Sequence, residues 1–326
     1  MLKENSSSYW MKHFKRGFSF QGFATVIVFI VIFVLLSIIS PYFLTMGNMM
    51  ALLRQISMML IAGVGSTFLI ITGNIDLSIG SVIAVTGVTC ALLVSKANFP
   101  VPVAILAAIL LGGFIGTINS LLVTELFLPS LLATLGMMGV LRGIAFLVTG
   151  GHTVRGLPES YIWLGRGWIL GHIPVSVFLS VLIFVVFLFI QRKTKFGLYT
   201  YAIGGNRIAA SLAGINVRAC MNLTFIINGL LAGIAGVIAS SRIGAALPNA
   251  GVGFEMDVIT GVVIGGTSIF GGIGKLEGTL LGVLIIGMIT NGMYLLEIHS
   301  YWQQVAKGII LIIALGAETI KQRRKD

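Results

Sequence analysis

The chain has 326 residues, of which 57% are hydrophobic and 10% are charged, so it has too few polar side chains to cover a water-soluble globule of this size. Backbone amides need internal hydrogen-bond partners in lipid, and the apolar runs are longer than barrel strands. The composition therefore predicts an all-α, polytopic transmembrane helix bundle, with the net charge of +11 explained by topology-setting loops rather than by nucleic-acid binding.

The basic residues form three main clusters, within residues 3–16, 192–218 and 321–325. The positive-inside rule places all three in the cytoplasm, which requires an even number of spans between neighbouring clusters. We therefore expect a multi-pass membrane protein with both termini cytoplasmic. A transmembrane domain at 22–318 is predicted between a cytoplasmic tail at 1–21 and another at 319–326.

A hydrocarbon core of about 30 Å needs roughly 20 helical residues, and dividing the chain at that length predicts about ten spans. Their number between basic clusters is even, as the charge rule requires. Only a few glycine-rich or polar residues separate the second span from the third and the eighth from the ninth. The predicted spans cover approximately residues 22–40, 52–72, 77–95, 101–123, 130–149, 173–190, 219–240, 256–270, 275–296 and 301–318.

The stretch 72–80, with the sequence TGNIDLSIG, is the most informative polar segment inside apolar sequence. A carboxylate within the membrane is unfavourable unless it faces protein or water, so Asp76 is a candidate functional residue. A second interpretation is that Asp76 caps a helix beginning at Leu77. The two interpretations are compatible, because a capped break in a span also creates a polar site.

A similar pattern recurs at Asp257, which also precedes an apolar helix containing glycine and threonine. The helix after Asp76 starts from the cytoplasmic side and the helix after Asp257 from the outside. An inverted repeat, as found in many transporters, explains this echo, and chance similarity of apolar segments explains it about as well.

Pairs of glycines spaced four residues apart predict helices that pack with their backbones close together. The four pairs are Gly112 with Gly116, Gly229 with Gly233, Gly261 with Gly265, and Gly278 with Gly282.

No motif for enzymatic chemistry is visible. The segment 270–278 superficially resembles a phosphate loop, but Ile269 replaces the required first glycine and Leu276 replaces the hydroxyl that binds magnesium. The histidines and cysteines have no metal-ligand spacing, and we expect Cys90 and Cys220 to be free, packed thiols. The sequence thus predicts no ATP site, metal site or bound cofactor on this chain.

The segment 73–80 resembles the ribose, xylose, arabinose and galactose permease family of bacterial ABC importers. The resemblance extends over nearly the whole chain from about residue 41, in the family's order and spacing. Further matching stretches lie at residues 132–143, 201–206, 209–210, 213–216, 265–268, 271–272 and 291–292.

This resemblance implies a permease domain at 22–318 that moves a monosaccharide across the membrane without being an enzyme itself. It also implies cytoplasmic ABC ATPase subunits that carry ATP and magnesium, a periplasmic sugar-binding protein, and a second permease that is a copy or a paralogue. An ion- or proton-coupled secondary transporter, with the ion carried by Asp76 or Asp257, is the alternative.

Sugar hydroxyls need hydrogen-bond partners when they leave water, and polar side chains in the spans supply candidates for a substrate pathway. The candidates are Asn74, Asp76, Ser78, Asn119, Asn228, Asp257 and Asn291.

The hydrophilic loop 191–218 resembles the family's coupling loop, whose short helix enters a groove on the ATPase. Asn206 before helix-forming residues and Gly214 after them predict that helix. Arg207 stands where many relatives have an acidic residue, and Ser211 where many have a basic one. A basic loop that only fixes topology is the alternative. The predicted coupling residues are Ile203, Gly204, Gly205, Asn206, Arg207, Ala209, Ala210, Leu212, Gly214 and Ile215, and residues 203–215 are called the coupling segment below.

Overall fold

The computed structural model describes residues 20–323, and side chains are described for residues 23–320. The predicted tail at 1–21 and the end of the tail at 319–326 therefore lie largely outside the described residues. The elements are α1 (Phe20–Ile39), α2 (Met46–Ile71), α3 (Ile79–Ser95), α4 (Val101–Thr124), α5 (Ser130–Thr149), α6 (Glu159–Arg166), β1 (Trp168–Ile169), β2 (Ile173–Pro174), α7 (Val175–Lys193), α8 (Lys195–Gly205), α9 (Arg207–Leu212), α10 (Val217–Ile243), α11 (Phe254–Ile264), α12 (Leu276–Leu295) and α13 (Ser300–Arg323).

Seven of the described helices are long and apolar enough to cross a bilayer, judged by length and composition: α2, α4, α5, α7, α10, α12 and α13. The all-α, polytopic class is confirmed, and the chain is a multi-pass membrane protein. The prediction of about ten spans is not confirmed. The described part of α1 from Phe23 and the 17-residue helix α3 are apolar but shorter, and α11 has 11 residues.

The structure corrects the span predicted at residues 256–270. Helix α11 begins at Phe254 and ends at Ile264, about half the length that a bilayer requires. Residues 265–270 are uncharged and end in Ile269 and Phe270, which is why the division by length and hydrophobicity extended the helix. However, Gly266 adopts a left-handed φ of 90°, and the backbone N–H of Gly272 donates to the carbonyl of Ile71 at 2.8 Å instead of continuing a helix.

The glycine pairs predicted to mediate helix packing face one another across two helix crossings, that of α4 with α10 and that of α11 with α12. A Cβ on Gly112 of α4 would overlap the carbonyl oxygen of Gly229 on α10, and a Cβ on Gly229 would overlap that of Gly112. In the same way, a Cβ on Gly282 of α12 would overlap the carbonyl oxygen of Gly261 on α11. The backbones of these helices therefore touch, and any side chain at these positions would separate them.

Helices α3 and α11 both begin after a non-helical segment, and their starting regions meet inside the bundle. A Cβ on Gly80, in the first turn of α3, would overlap the carbonyl oxygen of Gly251 and the carboxylate of Glu255. Two short helices that start from one internal region agree with the arrangement expected for an inverted repeat. The repeat itself stays a prediction.

One face of the bundle carries α8 and α9, where the sequence predicted a loop with one short helix. The hydroxyl of Thr194 accepts the N–H of Gly197 at 3.3 Å and caps α8, and the side chain of Asn206 accepts the N–H of Ala209 at 2.9 Å and caps α9. Gly214 follows α9 with a φ of 83°. The short helix is thus present where predicted, while α8 was not anticipated.

The opposite face carries α6 and the β1–β2 hairpin, which hold the far end of α10. The hydroxyls of Tyr161 and Ser240 lie 2.6 Å apart, and the hydroxyl of Ser241 accepts the N–H of Gly165 at 2.7 Å. Both predicted free cysteines, Cys90 and Cys220, are buried thiols.

Candidate functional site

Four of the seven predicted pathway residues form one buried hydrogen-bonded network. Asp76 Oδ1 accepts the backbone N–H of Ser78 at 2.8 Å and its hydroxyl at 2.6 Å. Asp76 Oδ2 accepts the side-chain amide of Asn228 on α10 at 2.9 Å, and the amide of Asn119 on α4 donates to Ser78 Oγ at 2.9 Å. We call Asp76, Ser78, Asn119 and Asn228 the central network.

The central network joins three elements inside the bundle: the break between α2 and α3, the C-terminal half of α4, and the middle of α10. All four side chains are buried, and Asp76 is 4% exposed. Asp76 has no ion-pair partner among the described residues, so hydrogen bonds alone hold its carboxylate. A buried carboxylate is costly within a membrane protein unless it has hydrogen-bond partners or a function. The hydrogen bonds around Asp76 therefore mark a candidate functional site.

The central network has unused hydrogen-bonding capacity. The carbonyl oxygen of the Asn119 side chain is buried without a hydrogen-bond partner among the described residues. The same holds for the hydroxyls of Ser120, its sequence neighbour, and of Ser81, one turn after Ser78. Buried polar atoms are normally paired, so the free acceptor of Asn119 leaves the central network able to form one more hydrogen bond.

The helix-capping interpretation of Asp76 is only partly met by the geometry. Helix α3 begins at Ile79 rather than at Leu77, and Ser78 occupies the N-cap position. Asp76 accepts the N–H of Ser78 from two residues before it, which is an Asx turn that shapes the break. The second carboxylate oxygen faces Asn228 on another helix, a contact that capping does not require.

Asn74 lies apart from the central network and connects the break to the coupling segment. Its Oδ1 accepts from the Arg207 guanidinium at 3.3 Å, and the same Nη2 atom donates to the carbonyl of Thr72 at 3.3 Å. A Cβ on Gly204 would overlap the carbonyl oxygen of Ile71. The coupling segment therefore contacts the chain only a few residues from Asp76.

The predicted coupling residues do not share one exposed face. Ile203 and Ala210 are buried and pack against Leu69 and Phe225 in an apolar cluster beneath the segment. Leu212 is 85% exposed, and Ile208, which the sequence analysis did not select, is 75% exposed one turn before it. Helix α9 thus has an inward face that fixes it to the bundle and an outward apolar edge.

Asp257 forms no hydrogen bond with the central network among the described residues. Its Oδ2 accepts from the Lys307 ammonium at 2.6 Å, which joins the start of α11 to α13. Within the membrane such an ion pair satisfies both charges. Lys307 was missed in the sequence because it lies alone in an apolar helix, without a motif.

Asn291 lies near the C-terminal end of α12, where its side chain and that of Asn48 exchange two hydrogen bonds of 2.8 and 3.1 Å. Both asparagines line a cavity that opens at this end of the bundle. Asn48 carries no sequence signal of its own, because nothing in the sequence indicates that it faces Asn291.

Arg142 and Glu255 were also missed, although both are ionisable residues within the bundle. The guanidinium of Arg142 on α5 donates to the carbonyls of Pro248 and Ala250 at 3.0 and 2.7 Å, which holds the segment before α11 in place. Glu255 is buried in the first turn of α11. The general rule that an intramembrane charge is a candidate functional residue was the available signal.

Comparison with known proteins identifies the family. The model of the "Branched-chain amino acid transport system / permease component" family matches residues 48–315. The ribose import permease of Haemophilus influenzae is 37% identical over 100% of both chains. No solved structure matches the chain significantly.

Two further relatives also match over most of their length. The D-allose transport system permease of Escherichia coli is 34% identical over 95% of both chains. The L-arabinose ABC transporter permease of Azospirillum brasilense is 38% identical over 92% of this chain and 88% of its own. The family model and the full-length relatives confirm the resemblance seen in the motifs: the chain belongs to the family of ABC importer permeases and is a transport subunit.

Proposed function

We propose that this chain is the membrane-spanning permease of an ATP-driven monosaccharide importer, in which it forms the translocation pathway and couples to a separate ATPase. The central network is the observation that carries this proposal. It places a carboxylate, a hydroxyl and two amides inside an otherwise apolar bundle. The names of the relatives, which refer to ribose, D-allose and L-arabinose, support a monosaccharide as the cargo.

The chemistry of the central network suits a polyol. A sugar hydroxyl both donates and accepts, so it is best served by neighbouring groups of both kinds. Asp76 accepts, the amides do both, and Asn119 Oδ1, Ser81 Oγ and Ser120 Oγ have free capacity. In this structure the four side chains of the central network are buried and bonded mainly to one another, and we assign this arrangement to a state in which sugar is not admitted.

The remaining pathway candidates have separate roles in this proposal. Asn291 lies on the outer approach, and Asn74 connects the break to the coupling segment. Asp257 stays in the proposed pathway because its Oδ1 is buried without a hydrogen-bond partner among the described residues, although Oδ2 is bound by Lys307.

The proposed assembly contains cytoplasmic ATPase subunits that bind ATP and magnesium, a periplasmic sugar-binding protein, and a second permease that is a copy or a paralogue. We place both termini and the coupling loop in the cytoplasm, with 22–318 as the permease domain in the inner membrane. The basic clusters support this orientation, as does the position of the coupling loop beside the end of α2, opposite the α6 face.

Uptake by cells distinguishes this proposal from an ion- or proton-coupled transporter. An uncoupler added while cellular ATP is held constant should leave uptake of the sugar unchanged. Uptake that stops with the proton gradient, at constant ATP, would favour the secondary transporter.

The exposed edge of α9 is the proposed docking point for the ATPase. Replacement of Leu212 or Ile208 with glutamate places a charge where an apolar contact is expected to be buried, without disturbing Ala210 on the inward face. We expect Leu212→Glu to weaken ATPase binding by about tenfold or more, measured as the affinity of the purified subunits. Leu170→Glu is the control, since Leu170 is 89% exposed on the opposite face. Unchanged affinity in both α9 variants would place the ATPase on another surface.

Arg207 is the proposed connection from the docked ATPase to the break that carries Asp76. Arg207→Gln removes the charged donor to Thr72 and Asn74 while leaving the apolar edge of α9 intact. We expect the ATPase to bind normally, and the sugar transported per ATP hydrolysed to fall several-fold because two charge-assisted hydrogen bonds are lost. Arg218→Gln, which removes an exposed ion pair with Glu125, is the control. A normal transport-to-ATP ratio in Arg207→Gln would show that this contact does not transmit coupling.

A further inference from the structure

The outer end of the bundle contains a cavity that is separate from the central network. It has a volume of about 450 Å³ and lies between the outer ends of α2, α10, α12 and α13. This volume is within the roughly 300–1,000 Å³ range of small-molecule sites. Asn48 lies at the start of α2, some 35 Å along that 26-residue helix from the break that carries Asp76. The residues used below are Asn48, Arg54, Arg242, Thr290, Asn291 and Tyr294.

Several polar groups around this cavity lack partners. The hydroxyl of Thr290 and Nε of Arg54 are buried without a hydrogen-bond partner among the described residues. The guanidinium of Arg242 forms no hydrogen bond or ion pair within the described part of the chain. Because buried polar groups are normally satisfied, three such groups on residues that line one cavity indicate a place for a polar ligand.

Other polar side chains that line the cavity are held in position by contacts with the protein. The guanidinium of Arg54 donates to the carbonyl of Arg166 at 2.8 Å and stacks over the ring of Trp168 at 4.8 Å, so its position is fixed. The side-chain amides of Asn48 and Asn291 bond to each other and offer both donors and acceptors to the cavity. Tyr294 adds an aromatic ring that is 74% exposed.

We propose that this cavity is an outer subsite that binds a neutral monosaccharide before it reaches the central network. The inference rests on the proposed function and extends it to a second site. Arginine donors, amides that donate and accept, a hydroxyl and an aromatic ring together match the alternating donors, acceptors and apolar faces of a sugar. A simple anion would use the two guanidinium groups but would leave the Tyr294 ring and the acceptors of Asn48 and Asn291 unused.

Two variants test the subsite without breaking any contact seen in the structure. Arg242→Met keeps the apolar stem and removes a guanidinium that has no partner in the described part of the chain, and Thr290→Val removes a hydroxyl of which the same is true. A purely structural role therefore predicts no effect of either change. Arg155→Met, in a separate outer groove, is the matched control.

The measurement is saturation-transfer NMR on the full transporter in lipid nanodiscs, with a panel of neutral monosaccharides and with glucuronate and inorganic phosphate as anionic probes. We expect a neutral monosaccharide that the transporter carries to bind the wild type and the Arg155→Met control equally. Binding should weaken about tenfold or more in Arg242→Met and several-fold in Thr290→Val, because one charged and one neutral hydrogen bond are lost.

Equal sugar binding in the wild type and in both cavity variants would overturn the proposed subsite, and so would the absence of binding by a sugar that the transporter carries. Binding of glucuronate or phosphate in preference to neutral sugars would replace it with an anion site. A failure of the proposed function is distinguishable from these outcomes, because the transporter would then take up no monosaccharide at all.

Discussion

Replacement of Gly229 with leucine is expected to remove most of the folded protein from the membrane. A Cβ at this position overlaps the carbonyl oxygen of Gly112 and lies 3.0 Å from the backbone of Gly116, so α4 and α10 must separate to admit the side chain. These contacts involve backbone on both sides, which no change of rotamer relieves. The penalty should reach or exceed the upper end of the roughly 1–3 kcal/mol that overpacking usually produces. Thermal stability and abundance in membranes, measured by fluorescence-detected chromatography, check this expectation.

Gly316→Leu is the matched control for this change. Gly316 is also a helical glycine, in α13, but a Cβ there meets no atom within 4 Å. The control variant should accumulate as the wild type does. A Gly229→Leu variant that is as abundant and as stable as the control would contradict the close crossing of α4 and α10.

Asp76→Asn is expected to reduce transport about tenfold or more while leaving membrane abundance nearly unchanged. Asparagine still accepts the N–H of Ser78 and therefore preserves the Asx turn. Its amide group, however, replaces the oxygen that accepts from Asn228, so two donors face each other unless Asn228 rotates. Losing a hydrogen bond to a buried charge typically amounts to about 1.5–3 kcal/mol. Initial uptake rates normalised to the amount of protein are the measurement.

A complementary double variant tests whether the contact itself matters. Asp76→Asn combined with Asn228→Asp exchanges the donor and the acceptor and should recover part of the lost transport. Glu125→Gln is the control for loss of a carboxylate, because Glu125 forms an exposed ion pair with Arg218. Wild-type uptake in Asp76→Asn alone would show that Asp76 serves only to shape the turn.

The sequence predicted the class of fold well because hydrophobic length and glycine spacing act locally. Runs of apolar residues identified the long helices. The four-residue spacing within glycine pairs, such as Gly112 with Gly116 and Gly229 with Gly233, predicted close packing without showing which helices pair. The span predicted at residues 256–270 was too long, because hydropathy does not detect the turn at Gly266 that follows α11. Local capping signals at Asn206 and Gly214 were sufficient for α9.

The candidate site was predicted as residue types but not as an arrangement. An intramembrane carboxylate drew attention to Asp76, yet its contact with Asn228 spans 152 positions and depends on the packing of α10 beside the break. Lys307 and Asn48 had no motif at all, and only the fold brings them to Asp257 and Asn291. Side chains that act through a distant partner leave no local pattern in a single sequence.

Reconstituted transport tests the proposed function most directly. The chain, purified with its ATPase subunits and the cognate binding protein, is placed in liposomes oriented so that ATP reaches the coupling loop. The expected result is accumulation of a labelled monosaccharide against its gradient that requires ATP hydrolysis, persists when proton and sodium gradients are abolished, and falls about tenfold or more in Asp76→Asn. Accumulation that follows an ion gradient without ATP, or ATP-dependent accumulation of a branched-chain amino acid but of no monosaccharide, would contradict it.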